Sequence, residues 1–280
     1  MNQPPPHQRS SAAWRRPRGV SVETWDYVQQ RTIADHYDAF VADTPLCRLD
    51  QQLLEHWLPA KSLAAAGQVV LDLGAGTGRA AVPLASRGYQ VIAIDLSQPM
   101  LVRLNGRSEQ LEGARKVHPV RANLVDLHCI RDDSADHAIC LFSTLGMIQG
   151  RQNRLEVLRH ISRIVRPGGK LVVHVHNRWA ALREKGGMIR LLRSWLNSLK
   201  QGDHEFGDTV YPYRGLAAMF LHRFSASELT GDLQSTGWSL QKLERISIDG
   251  ASADSSAKVP GGFIALAECG RSRETKSAGC

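Results

Sequence analysis

The sequence lacks the cysteine pattern of a metal centre or a disulfide framework. Its cysteines form no CxxC pair, and no histidines lie near them at the spacing of metal ligands. We therefore expect no bound metal and reduced thiols in a cytoplasmic protein. The five cysteines are Cys47, Cys129, Cys140, Cys269 and Cys280.

Long apolar runs are absent as well. The first twenty residues contain no apolar segment of the kind a signal peptide needs, and no later run approaches the length of a transmembrane helix. Neither secretion nor membrane spanning is expected. There is also no GxxxxGK[ST] sequence, which excludes the nucleoside triphosphate loop. The chain of 280 residues is 42% hydrophobic, which is enough for a buried core.

Positive charge is present in excess, and two segments carry it. The formal net charge is +8. Residues 1–20 contain four arginines and no acid, and residues 182–200 contain five basic residues and one glutamate. These segments could meet an anionic partner such as RNA, and solvated charge that aids solubility is an equally acceptable interpretation. The role of the N-terminal segment stays open.

Composition divides the chain into a domain and two tails. Residues 1–20 are rich in proline, serine and arginine, which predicts a disordered basic tail. Residues 21–270 are predicted to form one domain, and residues 271–280 a flexible C-terminal tail. Helical spacing of apolar residues between Trp25 and Leu58 predicts two helices before the first strand.

Short apolar runs then alternate with helical segments. The predicted strands are residues 68–74, 89–95, 116–123, 135–142 and 170–177. Strands joined by helices indicate a parallel sheet with right-handed crossovers and helices on both faces. Two further runs, 238–249 and 261–270, have no helix between them and should be antiparallel neighbours. The predicted fold is an α/β, Rossmann-like, seven-stranded, mostly parallel sheet with a C-terminal antiparallel pair.

Three alternate glycines follow the first of these strands in "VVLDLGAGTGRAA". Glycines adopt backbone angles that other residues resist, and without Cβ they let a ligand lie against the chain. The next strand ends in Asp95, where a carboxylate can accept hydrogen bonds from both hydroxyls of a ribose. The third glycine, Gly78, comes one residue too early for a dinucleotide fingerprint, and Arg79 stands at the fingerprint position.

The segments "VLDLGAGTG" and "VIAIDLSQPML" resemble the first two motifs of class I S-adenosylmethionine-dependent methyltransferases with a type 11/25-like domain. "RPGGKLVV" is similar to the turn before their fifth strand, and the resemblance spans residues 34–270. It implies S-adenosylmethionine as cofactor, with its methionine portion on Gly74, Ala75, Gly76 and Gly78 and its ribose on Asp95. By the same resemblance, Asp72 orients this loop and reaches the amino group indirectly.

Further cofactor contacts follow from the resemblance. Asn123 stands where the family commonly has an acid for the adenine amine, and it remains a candidate together with the Leu124 backbone. Leu96 and Met100 would contact adenine or ribose, or belong to the core. The remaining candidates are Phe142 and Ser143, which would line the opening for methyl transfer, and Tyr37, which would close over the cofactor or serve in packing.

Methyl transfer needs aligned reactants, and it needs a base only if the acceptor must lose a proton first. His176 lies at the carboxyl end of the predicted fifth strand. It is the first candidate for a base or a substrate hydrogen-bonding group, and a histidine satisfied by backbone is the alternative. "FSTL" replaces the [DN]PP[YFW] motif, which argues against amino-methylation of adenine or glutamine.

Residues 178–224 form an insertion that we interpret as a lid over the acceptor site. It contains an amphipathic helix, "GMIRLLRSWLNSLK". Adsorption to a membrane surface is disfavoured, because the apolar face has an obvious core to cover. Tyr211, Tyr213 and Arg214 either stack on an aromatic acceptor or pack within the lid.

The predicted function is methyl transfer from S-adenosylmethionine to a small-molecule acceptor of unknown identity. A tRNA methyltransferase of the wobble uridine type is the alternative, since two basic segments would suit phosphate contacts. A third possibility is a non-catalytic subunit that binds S-adenosylmethionine, and a dinucleotide oxidoreductase is remote. The sequence leaves the acceptor atom and the oligomeric state open.

Overall fold

A computed structural model of the chain describes residues 15–41, 44–59, 67–111, 116–200, 202, 204–213, 216–253 and 258–271. Residues 1–14 and 272–280, which make up most of the two predicted tails, therefore lie outside the described residues. The side chains of residues 37–41, which include Tyr37, are outside them as well.

The described chain contains nine strands in two sheets. They are β1 (Val69–Leu73), β2 (Gln90–Asp95), β3 (Val117–Arg121), β4 (Ala135–Cys140), β5 (Val165–His176), β6 (Asp208–Tyr213), β7 (Leu216–His222), β8 (Trp238–Ile246) and β9 (Gly262–Cys269). Eight α-helices are described: α1 (Val22–Gln29), α2 (Arg31–Val41), α3 (Pro45–Trp57), α4 (Ala81–Ser86), α5 (Gln98–Ser108), α6 (Arg151–Ile164), α7 (Gly187–Lys200) and α8 (Ala226–Ser235). No helix of the described chain is long and apolar enough to cross a membrane.

The large sheet has the predicted topology. Its strand order is β3-β2-β1-β4-β5-β9-β8. The first five strands are parallel, and β9 pairs antiparallel with both β5 and β8. The order reverses between β1 and β4, so a crevice opens at the carboxyl ends of these strands. The predicted fold class is confirmed.

Helices cover both faces of this sheet because alternate strand residues point to opposite sides. Leu71 belongs to the cluster that packs on α6 and α8, whereas Val70 belongs to the cluster that packs on α3, α4 and α5. Burial on both faces explains the nearly continuous apolar runs of the central strands. The sheet is therefore a rigid base for the loops at its carboxyl edge.

The insertion differs from its predicted description. Beyond the helix α7, β6 (Asp208–Tyr213) and β7 (Leu216–His222) form a separate two-stranded antiparallel sheet, the β6–β7 hairpin. The sequence interpretation missed this hairpin. The alternation is concealed there, since Pro212 interrupts the first strand and the pairing register shifts between Tyr211 and Tyr213.

The N-terminal boundary is also different. The prediction of a disordered tail up to residue 20 is wrong for residues 15–20. Arg18 donates to the Val125 carbonyl at 3.1 Å, and Val20 forms a β-bridge with Ile148. Three helices rather than two precede β1, and the first begins where the Ser21 hydroxyl accepts the Thr24 amide at 3.1 Å.

Candidate active site

A cavity lies at the carboxyl ends of the parallel strands, where the strand order reverses. Loops after β1, β2, β3 and β4 form its floor, and α1 and the β6–β7 hairpin form its other walls. This is the place where ligands bind in open α/β sheets. Most predicted site residues line it: Asp72, Gly74, Ala75, Gly76, Asp95, Leu96, Met100, Asn123, Leu124, Phe142, Ser143 and His176.

The three glycines of the first turn all have positive φ angles, and a Cβ at each would meet different surroundings. A Cβ at Gly74 would collide with Thr144, so this glycine permits a close approach of two loops. A Cβ at Gly78 would lie 3.0 Å from Leu104 of α5, and Gly78 does not line the cavity. A Cβ at Gly76 would meet nothing within 4 Å. Gly76 is therefore the glycine whose missing side chain leaves room for a ligand.

Asp95 holds the glycine turn and the next helix start together. Its Oδ2 accepts the Gly76 amide and its Oδ1 accepts the Ser97 amide, each at 2.8 Å. Burial raises the pKa of Asp95, and the two amide hydrogen bonds oppose this rise. The Ser97 hydroxyl donates to the Val28 carbonyl at 2.7 Å, which fixes α1 against the same loop.

Asp72 is a buried carboxylate with an unsatisfied oxygen. It lines the cavity, and its Oδ2 has no hydrogen-bond partner among the described residues. Burial raises the pKa of Asp72 to about 7, a rise that Arg79 opposes and Asp95 increases. Because a buried acceptor is costly to leave unpaired, this carboxylate fits a cationic or hydrogen-bond-donating ligand group.

The loop after β4 is held in a strained conformation. Phe142 and Ser143 have φ angles of 53° and 62°, in the left-handed region that costs about 1–2 kcal/mol per residue. The Ser143 amide donates to the His174 carbonyl at 3.0 Å, and the Ser143 hydroxyl accepts the His176 amide at 3.2 Å. The Arg79 guanidinium stacks 4.4 Å from the Phe142 ring centre. These contacts keep the strained loop at the cavity wall.

His176 faces the cavity as a neutral imidazole. Burial lowers its pKa to about 3, with further lowering by His174 and Arg223. A group with such a pKa is a poor general base at neutral pH, because proton transfer is most efficient when the pKa lies near the working pH. The lowered pKa is instead compatible with the other predicted role of His176, a substrate hydrogen-bonding group.

Asn123 is engaged by the fold itself. Its Nδ2 donates to the Arg18 carbonyl at 3.0 Å, and its Oδ1 accepts the Val125 amide at 3.3 Å. One Oδ1 lone pair remains for a ligand amine. Asn123 thus closes the loop after β3 onto the segment before α1, which sequence reasoning had assigned to a disordered tail.

The sequence interpretation missed the cavity residues that come from distant parts of the chain. The helix α1 and its approach supply Val20, Thr24, Tyr27 and Val28, and the loop after β4 supplies Leu141, Thr144, Met147 and Ile148. Further lining residues are Arg79, Ala80, Ser97, Met219 and Leu221. Met219 and Leu221 share a face of β7, so recognising the hairpin would have indicated them. Tyr211, considered as a substrate contact, does line the cavity.

A buried ionic network lies behind the hairpin. Arg154 of α6 donates to Glu205 at 2.6 Å, and Arg178 pairs with Glu228. The His222 ring lies between two carboxylates, with Nδ1 2.7 Å from Asp208 and Nε2 2.8 Å from Glu228. Burial and Arg154 lower the pKa of Arg178 to about 10, so this guanidinium stays charged at neutral pH. The network joins α6 and α8 to the insertion, including its strand β7.

Part of this network has the spacing of a metal site. Within the described part of the chain, Glu205, His222 and Glu228 each offer one ligand atom, and these atoms lie within 4.8 Å of one another. Two guanidinium groups already pair with the two carboxylates. A cation here would face Arg154 and Arg178, and we assign the cluster as an ionic anchor.

Comparisons with known proteins agree with this architecture. Residues 70–169 match the family model described as methyltransferase domain. The ubiquinone biosynthesis O-methyltransferase of Xanthomonas oryzae is 32% identical over 181 residues, which cover 63% of this chain and 70% of that protein. The chain therefore belongs to the class I S-adenosylmethionine-dependent methyltransferases.

Other matches are shorter. The demethylmenaquinone methyltransferase of Clavibacter sepedonicus is 37% identical over 39% of this chain and 41% of its own length. The tRNA 5-carboxymethoxyuridine methyltransferase of Escherichia coli is 31% identical over 39% of this chain and 40% of its own length. The chain thus spans about two fifths of these relatives.

The fold recurs in solved structures. The CcbJ methyltransferase from Streptomyces caelestis has a TM-score of 0.61 and 20% identity, covering 87% of this chain and 99% of that one.

Proposed function

We propose that this chain transfers a methyl group from S-adenosylmethionine to a small-molecule acceptor in the cytoplasm. One observation carries the proposal. The open space over Gly76, the anchored carboxylate of Asp95 and the unpartnered oxygen of Asp72 all lie on one cavity. The free cysteines of the described chain, Cys47, Cys129, Cys140 and Cys269, fit a reducing compartment.

These residues fit the parts of the cofactor. The Asp72 carboxylate suits the positively charged amino group, directly or through water. Each Asp95 oxygen accepts one amide and keeps lone pairs for the ribose hydroxyls. The bare backbone at Gly76 permits close approach. When bound, the cofactor supplies an activated methyl group with an excellent leaving group.

The rest of the cavity suits a partly apolar acceptor. Met147, Met219 and Leu221 present apolar side chains, and Tyr211 and Phe142 add aromatic rings. Aligned reactants account for much of the acceleration in such a displacement. Neutral His176 orients the acceptor as a hydrogen-bond partner. The relatives named as a ubiquinone biosynthesis O-methyltransferase and a demethylmenaquinone methyltransferase support a small-molecule acceptor.

The function is tested by transfer of labelled methyl from S-adenosylmethionine into a cell extract, which is then separated into small molecules, RNA and protein. Label in the small-molecule pool is expected. Label in RNA would contradict the proposal and favour the tRNA alternative, which the shorter match to the tRNA methyltransferase supports. Tight binding of S-adenosylhomocysteine without any transfer would instead indicate a non-catalytic subunit.

Asp95→Asn is expected to weaken the binding of S-adenosylhomocysteine about tenfold. The amide keeps one acceptor but loses the charge that strengthens hydrogen bonds to the ribose and to the two backbone amides. Calorimetric titration measures the dissociation constant. Asp126→Asn is the matched control, since Asp126 is exposed in the loop after β3 and does not line the cavity. Equal losses in both variants would contradict this placement of the ribose.

The binding of S-adenosylhomocysteine is expected to strengthen about tenfold between about pH 6 and about pH 8. Because the pKa of Asp72 is about 7, most free protein holds this carboxyl protonated at the lower pH. The ligand's ammonium group favours the ionised form, so binding releases the proton and improves as pH rises. Calorimetry at both pH values measures the change. In Asp72→Asn the dependence should disappear, and a slope equal to that of the unaltered protein would exclude Asp72 as its source.

A further inference from the structure

The helix α7 turns most of its large apolar side chains away from the protein. Six large apolar residues of this helix are 39–67% exposed. They are Met188, Ile189, Leu192, Trp195, Leu196 and Leu199. The expectation that this face covers a core is therefore wrong. The argument against adsorption to a membrane surface depended on that expectation and no longer holds.

The opposite side of α7 is the side that holds it to the domain. Gly187 and Leu191 are buried there. The Ser194 hydroxyl accepts the Gly207 amide at 3.2 Å and lies 3.3 Å from the His204 ring. These contacts fix the rotation of the helix, so its apolar face points outward in the folded domain.

Basic side chains run beside the apolar face. At 100° per residue, Arg190, Arg193 and Lys200 fall on a stripe next to Ile189 and Leu196. All three basic residues are exposed, as are Arg183 and Lys185 in the segment just before the helix. Glu184 is the one acid of residues 182–200, and it pairs with Arg190 and with Arg223. The surface around α7 therefore combines apolar area with net positive charge.

We propose that α7 docks on an anionic lipid surface. The helix would lie flat, with Leu192, Trp195 and Leu199 in the interfacial layer and Arg193 and Lys200 on the phosphate groups. A helix of 14 residues is about 21 Å long, too short to span a bilayer, and no described helix meets the criteria for spanning one. Surface adsorption is the mode that this length and this pattern permit.

Charge decides between a lipid surface and a second copy of the chain. A second copy packed on this face would bring another surface of net positive charge close to this one, and like charges repel. An anionic lipid surface complements the stripe and accepts the apolar residues at once. The net charge of the whole chain, +8, adds attraction in the same direction.

This contact goes beyond the proposed methyl transfer and bears on how an acceptor reaches the cavity. The Ser194 hydroxyl also lies 3.4 Å from the carbonyl of Asp208, where β6 begins. The hairpin that starts there carries Tyr211, Met219 and Leu221 of the cavity wall. A lipid surface bound to α7 would adjoin the hairpin, which suits an apolar acceptor that partitions into lipid.

The test is co-sedimentation of the full chain with vesicles, without cofactor. One vesicle preparation is phosphatidylcholine alone, and the other contains equal parts of phosphatidylcholine and phosphatidylglycerol. Binding to the mixed vesicles is expected to be at least about tenfold stronger. Leu192→Ser combined with Leu199→Ser, and separately Arg193→Glu combined with Lys200→Glu, should each weaken it at least about tenfold.

Matched controls separate α7 from general surface properties. Val102→Ser with Ile248→Ser removes exposed apolar residues elsewhere, and Arg131→Glu with Lys258→Glu makes the same charge change elsewhere. These variants should bind as the unaltered chain does. Failure to bind mixed vesicles, or equal weakening by the controls, overturns the proposal. So does a dimer that only the α7 variants dissociate, measured by sedimentation velocity. Calorimetry with S-adenosylhomocysteine reports separately on the cofactor proposal.

Discussion

Gly76→Val is expected to weaken the binding of S-adenosylhomocysteine at least ~100-fold. The φ angle at Gly76 is +54°, and a Cβ built there meets no protein atom within 4 Å. The valine side chain would therefore enter the cavity that Gly76 lines, in the volume proposed for the methionine portion of the cofactor. Calorimetric titration measures the loss of affinity.

Gly168→Val is the matched control for this variant. Gly168 has a φ angle of +80°, a Cβ there also meets nothing within 4 Å, and the residue lies outside the cavity. Both variants carry the same kind of backbone strain, so the melting temperature of the protein should fall by a similar amount in each. Only Gly76→Val should lose binding. Undiminished affinity in a folded Gly76→Val protein would overturn the placement of the cofactor on this turn, and Gly76→Ala provides a smaller step if the valine variant does not fold.

The three glycines show how far sequence reasoning reaches. Their spacing after a strand predicted a ligand-binding turn, because glycines at these positions directly indicate a backbone conformation that other residues resist. In the sequence they are equivalent. Their separate functions depend on Thr144 and Leu104, which lie far along the chain. Only the packed structure distinguishes the glycine that faces the cavity from those that permit close packing.

The sheet and its topology could be predicted for the same reason. Each of the strands β1 to β5 is visible in the sequence as a short apolar run followed or preceded by a helical segment. The rule of right-handed crossovers then limits the number of ways in which these strands can be arranged in a sheet. The cavity walls formed by α1 and the hairpin could not be predicted, because no local pattern specifies which distant segment will cover a crevice. Tyr27 and Met219 reach the cavity only through such long-range contacts.

Amphipathicity has a related ambiguity in α7. The pattern of apolar residues in Met188 to Leu199 is the same whether the face packs on the chain's own core or on an external surface. The helix is oriented instead by Gly187, Leu191 and Ser194 on its other side. The sequence interpretation followed the large apolar residues and therefore assigned the wrong face to the core.

The hairpin and α7 depend on an anchor that is polar rather than apolar. Arg154 is fully buried in α6, and its guanidinium donates to Glu205 at 2.6 Å and to the Ile148 carbonyl at 3.3 Å. It also lies 3.7 Å from Glu228, the residue that binds His222 of β7. Removing this charge leaves the partly buried carboxylate of Glu205 without its ion-pair partner and takes a second cation away from Glu228, and such losses are strongly destabilising.

Arg154→Met is accordingly expected to lower the free energy of unfolding by about 3–5 kcal/mol. Urea denaturation measures the change, with Arg159→Met as the control on the same helix. Arg159 is exposed and pairs with Glu156 at 3.4 Å, so its loss should cost less than about 1 kcal/mol. Should Arg154→Met not fold, Glu205→Gln removes the same contact from its more exposed side and should destabilise by a smaller, measurable amount. Equal stability of the Arg154 and Arg159 variants would show that the hairpin is held by apolar packing alone, and the buried network would then have no part in forming the cavity wall.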